Sequence, residues 1–237
     1  MHAYAVAKQV ASLAYLYGRR LYLNMVAAGF RNDLLALHDP TPHDQRYTHL
    51  IEYTTIIREL LAGASAVTYH GKFYSVERLK LMPPLPQELF PGFFLSGSSE
   101  AGLAAARALG ATVVKYPQPA SAYETAPHPE ISAAGIRVGI IAREDVNEAW
   151  GIARARFPED RKGQLTHQLA MKVSDSAWHQ QLSEMHREIE HTPYWLVPFQ
   201  NYQTFCPYLV GSYTQVSGEF SPLYGTWLPH IHRGCAT

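Results

Sequence analysis

The sequence is poor in most of the features that assign a protein quickly. It holds only 2 cysteines in 237 residues, Cys206 and Cys235, too few for a disulfide framework. A reducing compartment is expected. Charged residues make up 17% of the chain, below the roughly 25% of an average soluble protein. Lys+Arg 20 balance Asp+Glu 20, so there is no basic excess of the kind that tracks a nucleic-acid backbone. No apolar run approaches the ~20 residues that cross a bilayer. The opening Met1-His2-Ala3-Tyr4 lacks the charged and apolar regions of a secretory signal. The 12 histidines are scattered. His230 and His232 stand close together without a cysteine or carboxylate at ligand spacing. His179 and His186 sit seven apart on a predicted helix. No metal site is expected. These absences predict a cytoplasmic globular protein that engages neither nucleic acid nor membrane.

What is present is apolar and ordered. Hydrophobic residues reach 47%, with Tyr 15 and Trp 4, enough for a sizeable core. Val6, Val10, Leu13, Ala14 and Tyr17 follow a helical period that ends at Gly18. Leu21 to Ala27 reads as a strand buried on both faces. A polar loop runs from Gly29 to about Pro40. Thr41-Pro42-His43-Asp44 then predicts a helix start with Thr41 as N-cap, and the helix runs to Gly63. Val67 to Tyr74 reads as a small hairpin turning at His70-Gly71. Phe93 to Ser96 is a strand, Glu100 to Leu109 a helix closed by Gly110, and Thr112 to Tyr116 a further strand. Residues 117–130 form a loop. Ile136 to Ala142 is a strand, Asp145 to Phe157 starts and spans a helix, and residues 160–192 hold one or two more. From Thr192 the pattern is aromatic and loop-like. Short apolar strands alternating with helices predict an α/β fold with a parallel sheet.

Four places combine chemistry with position. A buried strand runs into Gly97-Ser98-Ser99 and then into an alanine-rich helix. A helix N-terminus offers unpaired N–H groups and partial positive charge, glycine permits close approach, and hydroxyls add donors, which together suit a phosphate. An ordinary serine cap explains the same residues. The spacing fits neither a Walker loop, nor G-x-G-x-x-G, nor G-x-S-x-G. His43 and Tyr47 lie four apart on the first turns of one helix and form a second candidate anion clamp; a surface histidine and a core tyrosine are the plainer account. Asn24, at the C-terminal end of a strand, and the following Gly29 occupy the end that faces ligand in parallel sheets. Arg137 opens a strand and would bind an anionic substrate group if it faces inward. Cys206 has no evident partner for thiol catalysis.

These segments together resemble the bacterial luciferase-like, flavin-dependent monooxygenases, especially the alkanesulfonate monooxygenase branch. The resemblance runs over residues 2–216. It rests on Val6-Ala7-Lys8 with Gly18-Arg19, Leu23-Asn24-Met25-Val26 with Gly29, and His43 followed by Arg46-Tyr47. It continues through Gly71-Lys72-Phe73-Tyr74, Pro83-Pro84, Leu95-Ser96-Gly97-Ser98-Ser99, Gly135-Ile136-Arg137 with Arg143-Glu144, and Leu209-Val210-Gly211-Ser212. It implies a TIM-type (β/α)8 barrel, here without its first βα units. The implied activity is a two-component monooxygenase using O2 and reduced FMN from a separate flavin reductase on a small organic substrate. Carried over by position, Gly97, Ser98, Ser99, Tyr47 and His43 would hold the FMN phosphate. Asn24 and Gly29 would lie near the ring or ribityl chain, and Arg137 near the substrate. No residue is assigned a catalytic role. Gly139 stands where the sulfonate enzymes carry histidine, which tells against a sulfonate.

The resemblance divides the chain into a partial barrel, 1–216, and a divergent, irregular tail, 217–237, with Pro222 and Pro229. Two other functions fit the same residues. One is an inactive truncated fragment or non-catalytic subunit, whose open sheet edge would favour a homo-oligomer. The other is a flavin-free phosphate-binding α/β enzyme using the Gly97-Ser98-Ser99 site.

Overall fold

The computed structural model describes residues 1–27, 31–63, 65–97, 99–123, 134–174, 177–185 and 192–227. The expected positions Gly29 and Ser98 lie outside the described residues. The chain divides into two compact units, Met1–Gly29 with Asp33–Val113, and Phe30–Asn32 with Val114–Thr237.

The first unit begins with α1 (Ala3–Tyr17), closed by Gly18 in the left-handed conformation at φ 59. Its buried stripe is Ala3, Ala7, Val10, Ala11 and Ala14, whereas Leu13 and Tyr17 are exposed. The sequence period had placed those two inward. Small side chains let α3 approach this face closely, and the larger residues are left outside. Next come β1 (Tyr22–Met25), α2 (Arg31–Ala36), α3 (His43–Ala62), β2 (Val67–His70), β3 (Ser75–Leu79), β4 (Gly92–Ser96) and α4 (Glu100–Leu109). The strand β5 (Thr112–Lys115) carries the chain out of this unit.

Several boundaries differ from the sequence reading. The segment expected as a polar loop contains the short helix α2, whose Leu34 is buried. Thr41 does not cap α3. Its N–H donates to Asp39 Oδ1 at 2.9 Å, which ties it into a local turn. The helix cap falls on Pro42, with no side-chain capping bond. Hydrogen bonding from Thr41 in turn holds the Asp39 carboxyl below its ordinary range. The hairpin turns through Gly71–Tyr74, not at His70-Gly71, with His70 paired to Ser75. That turn wraps a buried acid. Glu52 accepts the N–H groups of Lys72 (2.8 Å), Phe73 (2.8 Å) and Tyr74 (3.1 Å). A Cβ at Gly71 would overlap the Glu52 carboxylate.

β1 and β4 pair in parallel, Tyr22 with Gly92 through Met25 with Leu95. Alternation sends their side chains to opposite faces. Met25, Phe93 and Leu95 are buried on one. Tyr22, Asn24, Phe94 and Ser96 share the other, where Tyr22 stacks on Phe94 at 5.4 Å. β1 is therefore not buried on both faces, since Tyr22 is 60% exposed.

The second unit contains β6 (Ala134–Ile136), β7 (Gly139–Arg143), α5 (Val146–Arg156), α6 (Arg161–Val173), α7 (Ala177–Glu184), β8 (Tyr194–Trp195), α8 (Val197–Gln200), β9 (Tyr208–Ser212) and α9 (Tyr213–Trp227). The single strand expected over 136–142 is broken at Arg137. Arg137 N–H donates to Lys115 O, and Gly139 N–H to Pro207 O, so the chain changes partner between them. β7 pairs in parallel with β9, which pairs antiparallel with β8. This small sheet is covered on both sides. Ala149 and Ala153 of α5 pack with Ile141, Trp195 and Val210. Leu182, Phe199 and Val216 pack with Tyr194 and Leu209.

The tail expected to be irregular from residue 217 is helical as far as Trp227. Ser212 and Gln215 cap its start reciprocally: Ser212 N–H donates to Gln215 Oε1 at 2.9 Å, and Gln215 N–H to Ser212 Oγ at 3.2 Å. This is a capping box, and it prevails over the low helix propensity of Gly218 and Pro222. Glu219 then accepts the Ala120 N–H at 2.9 Å. Residues 228–237 lie outside the described part.

Candidate functional site

Five of the expected site residues, Asn24, His43, Tyr47, Gly97 and Ser99, belong to the first unit. They cluster where β4 hands over to α4. The strand buries Phe93 and Leu95, which fixes its end. Gly97 is buried directly after it. Ser99 is the N-cap of α4, accepting the Gly102 N–H at 3.2 Å. Its hydroxyl proton is not consumed by that bond and is available to an acceptor.

Tyr47, in the second turn of α3, is 8% exposed. Its hydroxyl lies against both glycines of the β4–α4 connection. A Cβ at Gly97 would stand 2.8 Å from the Tyr47 Oη, and one at Gly102 would stand 3.1 Å from it. Gly102 was missed from sequence, where it served only to test motif spacing. His43 meets the Tyr47 ring edge-on at 5.3 Å, and its Nδ1 lies 2.8 Å from Asp44 Oδ1. Asn24 Oδ1 accepts the Ser96 hydroxyl at 2.9 Å. Among the described residues the arrangement gathers hydroxyl, imidazole and carboxamide groups near the N-terminus of α4. Such a cradle takes an anionic, oxygen-rich group.

Arg137 belongs to the second unit and is exposed. It lies between β6 and β7 instead of opening a buried strand. Its positive charge lies close enough to Tyr116 and Cys206 to act on both. Burial pushes both of those groups above their ordinary pKa, and Arg137 pulls each back. Tyr116 in turn stacks on Trp178 at 3.9 Å. The sequence reading left Cys206 without a partner and did not connect Tyr116 with it; four separate segments supply this cluster. A Cβ at Gly139 would overlap the Tyr208 ring, so a side chain there requires that ring to move.

Two histidines of the second unit were misread as surface or left unassigned. His167 is 5% and His179 1% exposed, both among aromatics. Burial, with the neighbouring His167, pushes His179 down to about 4. His186 lies outside the described residues. Among the described residues no group of three His, Cys, Asp or Glu side chains is placed to hold a metal ion. No helix among them is long and apolar enough to cross a membrane.

A parallel α/β fold with a glycine–serine turn between strand and helix places its candidate site at the C-terminal ends of the strands, where parallel α/β proteins hold their ligands. Residues 1–218 match the luciferase-like monooxygenase family, and the chain belongs to that family. It is 36% identical over 229 residues to 4-(gamma-L-glutamylamino)butanoyl-(BtrI acyl-carrier protein) monooxygenase BtrO of Niallia circulans, covering 93% of this chain and 67% of that protein. Among solved structures it resembles the EDTA monooxygenase EmoA of Chelativorans sp. BNC1, with TM-score 0.66 and 15% identity, over 95% of this chain and 63% of the other. It also resembles the oxygenating constituent of 3,6-diketocamphane monooxygenase of Pseudomonas putida, solved in complex with FMN. There the TM-score is 0.55 and the identity 13%, over 96% of this chain and 68% of the other. The chain thus spans about two thirds of the length of these relatives. The likeness to the solved structures bears on fold alone.

Proposed function

We propose that this chain binds FMN, delivered reduced by a separate flavin reductase, and takes part in O2-dependent monooxygenation of a small organic substrate. The observation that carries the reading is the Tyr47 hydroxyl set over Gly97 and Gly102 at the N-terminus of α4. A side chain at either glycine would fill the space in which a phosphate meets the helix N–H groups. The residues present fit the group: Ser99 and Tyr47 have hydroxyl protons to donate, and His43 adds an imidazole beside them. Asn24 supplies a carboxamide on the accessible face of β1. Gly29 and Ser98 complete the proposed contact set. The bound flavin would supply the oxygen chemistry; the protein supplies position, hydrogen-bond donors and exclusion of water.

Arg137 is the proposed substrate contact, an exposed cation near Tyr116 and Cys206. Gly139 stands where the sulfonate enzymes carry a histidine, and a side chain there would displace the Tyr208 ring, so the reading does not extend to sulfonates.

Titration of the purified protein with FMN, followed by flavin fluorescence, tests this. Binding in the micromolar range is expected, with Tyr47→Phe and Ser99→Ala weaker. Absence of binding at saturating FMN overturns it. Displacement of FMN by a simple sugar phosphate at equal concentration would favour a flavin-free phosphate enzyme instead.

One observation favours a second reading, a non-catalytic subunit that completes its sheet with another chain. Among the described residues β1 is an edge strand paired with β4, and Tyr22 at its start and Val26 just past its end are 60% and 55% exposed. An open apolar edge invites pairing. A higher-order species in sedimentation, together with no turnover on addition of reduced FMN, would support that reading.

A further inference from the structure

Ser96, the last residue of β4, carries a hydroxyl that the flavin reading leaves unused. Asn24 pairs across the sheet with Phe94, so Ser96 stands on the same face as Asn24, one pleat further along its strand. The Ser96 hydroxyl donates to Asn24 Oδ1 at 2.9 Å. A carboxamide has one acceptor end and one donor end of nearly equal shape. An unrestrained asparagine at a strand end turns either end outward. With Oδ1 engaged by Ser96, the two Nδ2 hydrogens are the donors that this bond leaves to meet a ligand, and Oδ1 keeps its second lone pair.

Two further features hold this setting. Tyr22 stacks on Phe94 at 5.4 Å with 11° between the rings, which keeps the strands in register beside the pair. Ser96 also precedes Gly97 directly. The strand end that orients Asn24 therefore leads into the phosphate cradle. A molecule seated by its phosphate at α4 and carrying oxygen acceptors along its length meets both.

We infer that Ser96 is a positioning residue: it locks the Asn24 carboxamide with its donors outward, so that this point of the site takes an oxygen acceptor of the flavin, whether ring carbonyl or ribityl hydroxyl. The inference rests on the FMN reading above. Asn24 makes the contact, and Ser96 acts through it.

A double-mutant cycle on FMN binding tests this without reference to turnover. Fluorescence titrations compare the wild type with Ser96→Ala, Ser96→Thr, Asn24→Ala and the Ser96→Ala/Asn24→Ala double variant, each checked by thermal melting. Loss of one hydrogen bond predicts about 3- to 10-fold weaker binding for Ser96→Ala. Ser96→Thr keeps the hydroxyl and stays within about twofold of wild type. Once Asn24 is alanine, the Ser96→Ala change has no further effect. The inference is overturned if Ser96→Ala binds like wild type, if threonine fails to rescue, or if Ser96→Ala weakens binding equally in the Asn24→Ala background. Those outcomes leave the FMN reading standing. No binding by the wild type removes that reading, and this inference with it.

Discussion

Tyr47 and Gly97 occupy one shared space: a single methyl group at position 97 would stand 2.8 Å from the Tyr47 hydroxyl oxygen. The tyrosine comes from α3 and the glycine from the turn after β4, fifty residues later. Their fit makes the turn both a structural joint and a candidate anion cradle.

Gly97→Ala should accordingly cost both stability and ligand. Overpacking of a fitted contact costs typically ~1–3 kcal/mol. Tyr47→Phe removes the atom that the new methyl meets. The double variant should therefore regain part of the lost melting temperature, while FMN binding stays weak because the hydroxyl donor is gone. Equal melting temperatures for wild type and Gly97→Ala would mean that the turn relaxes freely.

The Ser99 cap separates two roles. Replacing a serine N-cap by alanine removes about 1 kcal/mol, whereas glycine costs only a few tenths. Ser99→Ala should melt ~2–4 °C lower for a chain of this size, with Ser99→Gly close to wild type. If the hydroxyl also donates to phosphate, both variants bind FMN more weakly. Thermal melts with and without FMN distinguish the cap from the donor.

Glu52 holds the β2–β3 turn through three backbone N–H groups. Removing the buried carboxylate leaves three part-buried backbone donors without their acceptor. Glu52→Ala should destabilise by roughly 3 kcal/mol or more, since bonds to a charged acceptor are worth about 1.5–3 kcal/mol each and buried donors left unpaired add to the loss. Urea unfolding measures it. A midpoint unchanged from wild type would show that the turn is held by its aromatic contacts alone.

His179 gives the second unit a pH dependence of definite sign. Its folded value of about 4 lies below the ordinary histidine value of 6.5, and burial lowers His167 as well. The unfolded chain therefore takes up protons first as pH falls. These groups contribute nothing adverse above about pH 6.5, and stability declines progressively from there towards pH 4. His179→Phe should flatten that part of the profile, measured as the difference in unfolding free energy between pH 7 and pH 4.5. An identical pH slope for variant and wild type would remove the assignment.

The legible parts of the structure were those written in local chemistry. Ser99, Gly102 and Gly110 bracket α4 with an N-cap bond and a left-handed end, and the helix begins and ends where the sequence places it. Asp145 caps α5 in the same way. The strand-to-helix turn after Phe93–Ser96 was likewise visible, because a buried strand, a glycine and a serine cap lie in one short run. The helix at Tyr213–Trp227 went unseen despite its Ser212/Gln215 signature, because Gly218 and Pro222 pointed the other way. The small sheet of β7, β8 and β9 was half missed because its strands are short and paired across long stretches of chain.

The sequence by itself determined the alternation of strand and helix, the helix caps, and the family to which residues 1–218 belong. These follow from periodicity and from contacts between near neighbours. Only the tertiary structure decided that Gly102 belongs with Tyr47, that Ser96 orients Asn24, and that Arg137 meets Tyr116 and Cys206. The partners in each set are separated by twenty or more residues, and no local pattern encodes their approach. The same holds for His167 and His179. Polar residues on helices read as surface in one dimension, and only the packing of Phe199 and its neighbours around them shows that they are buried.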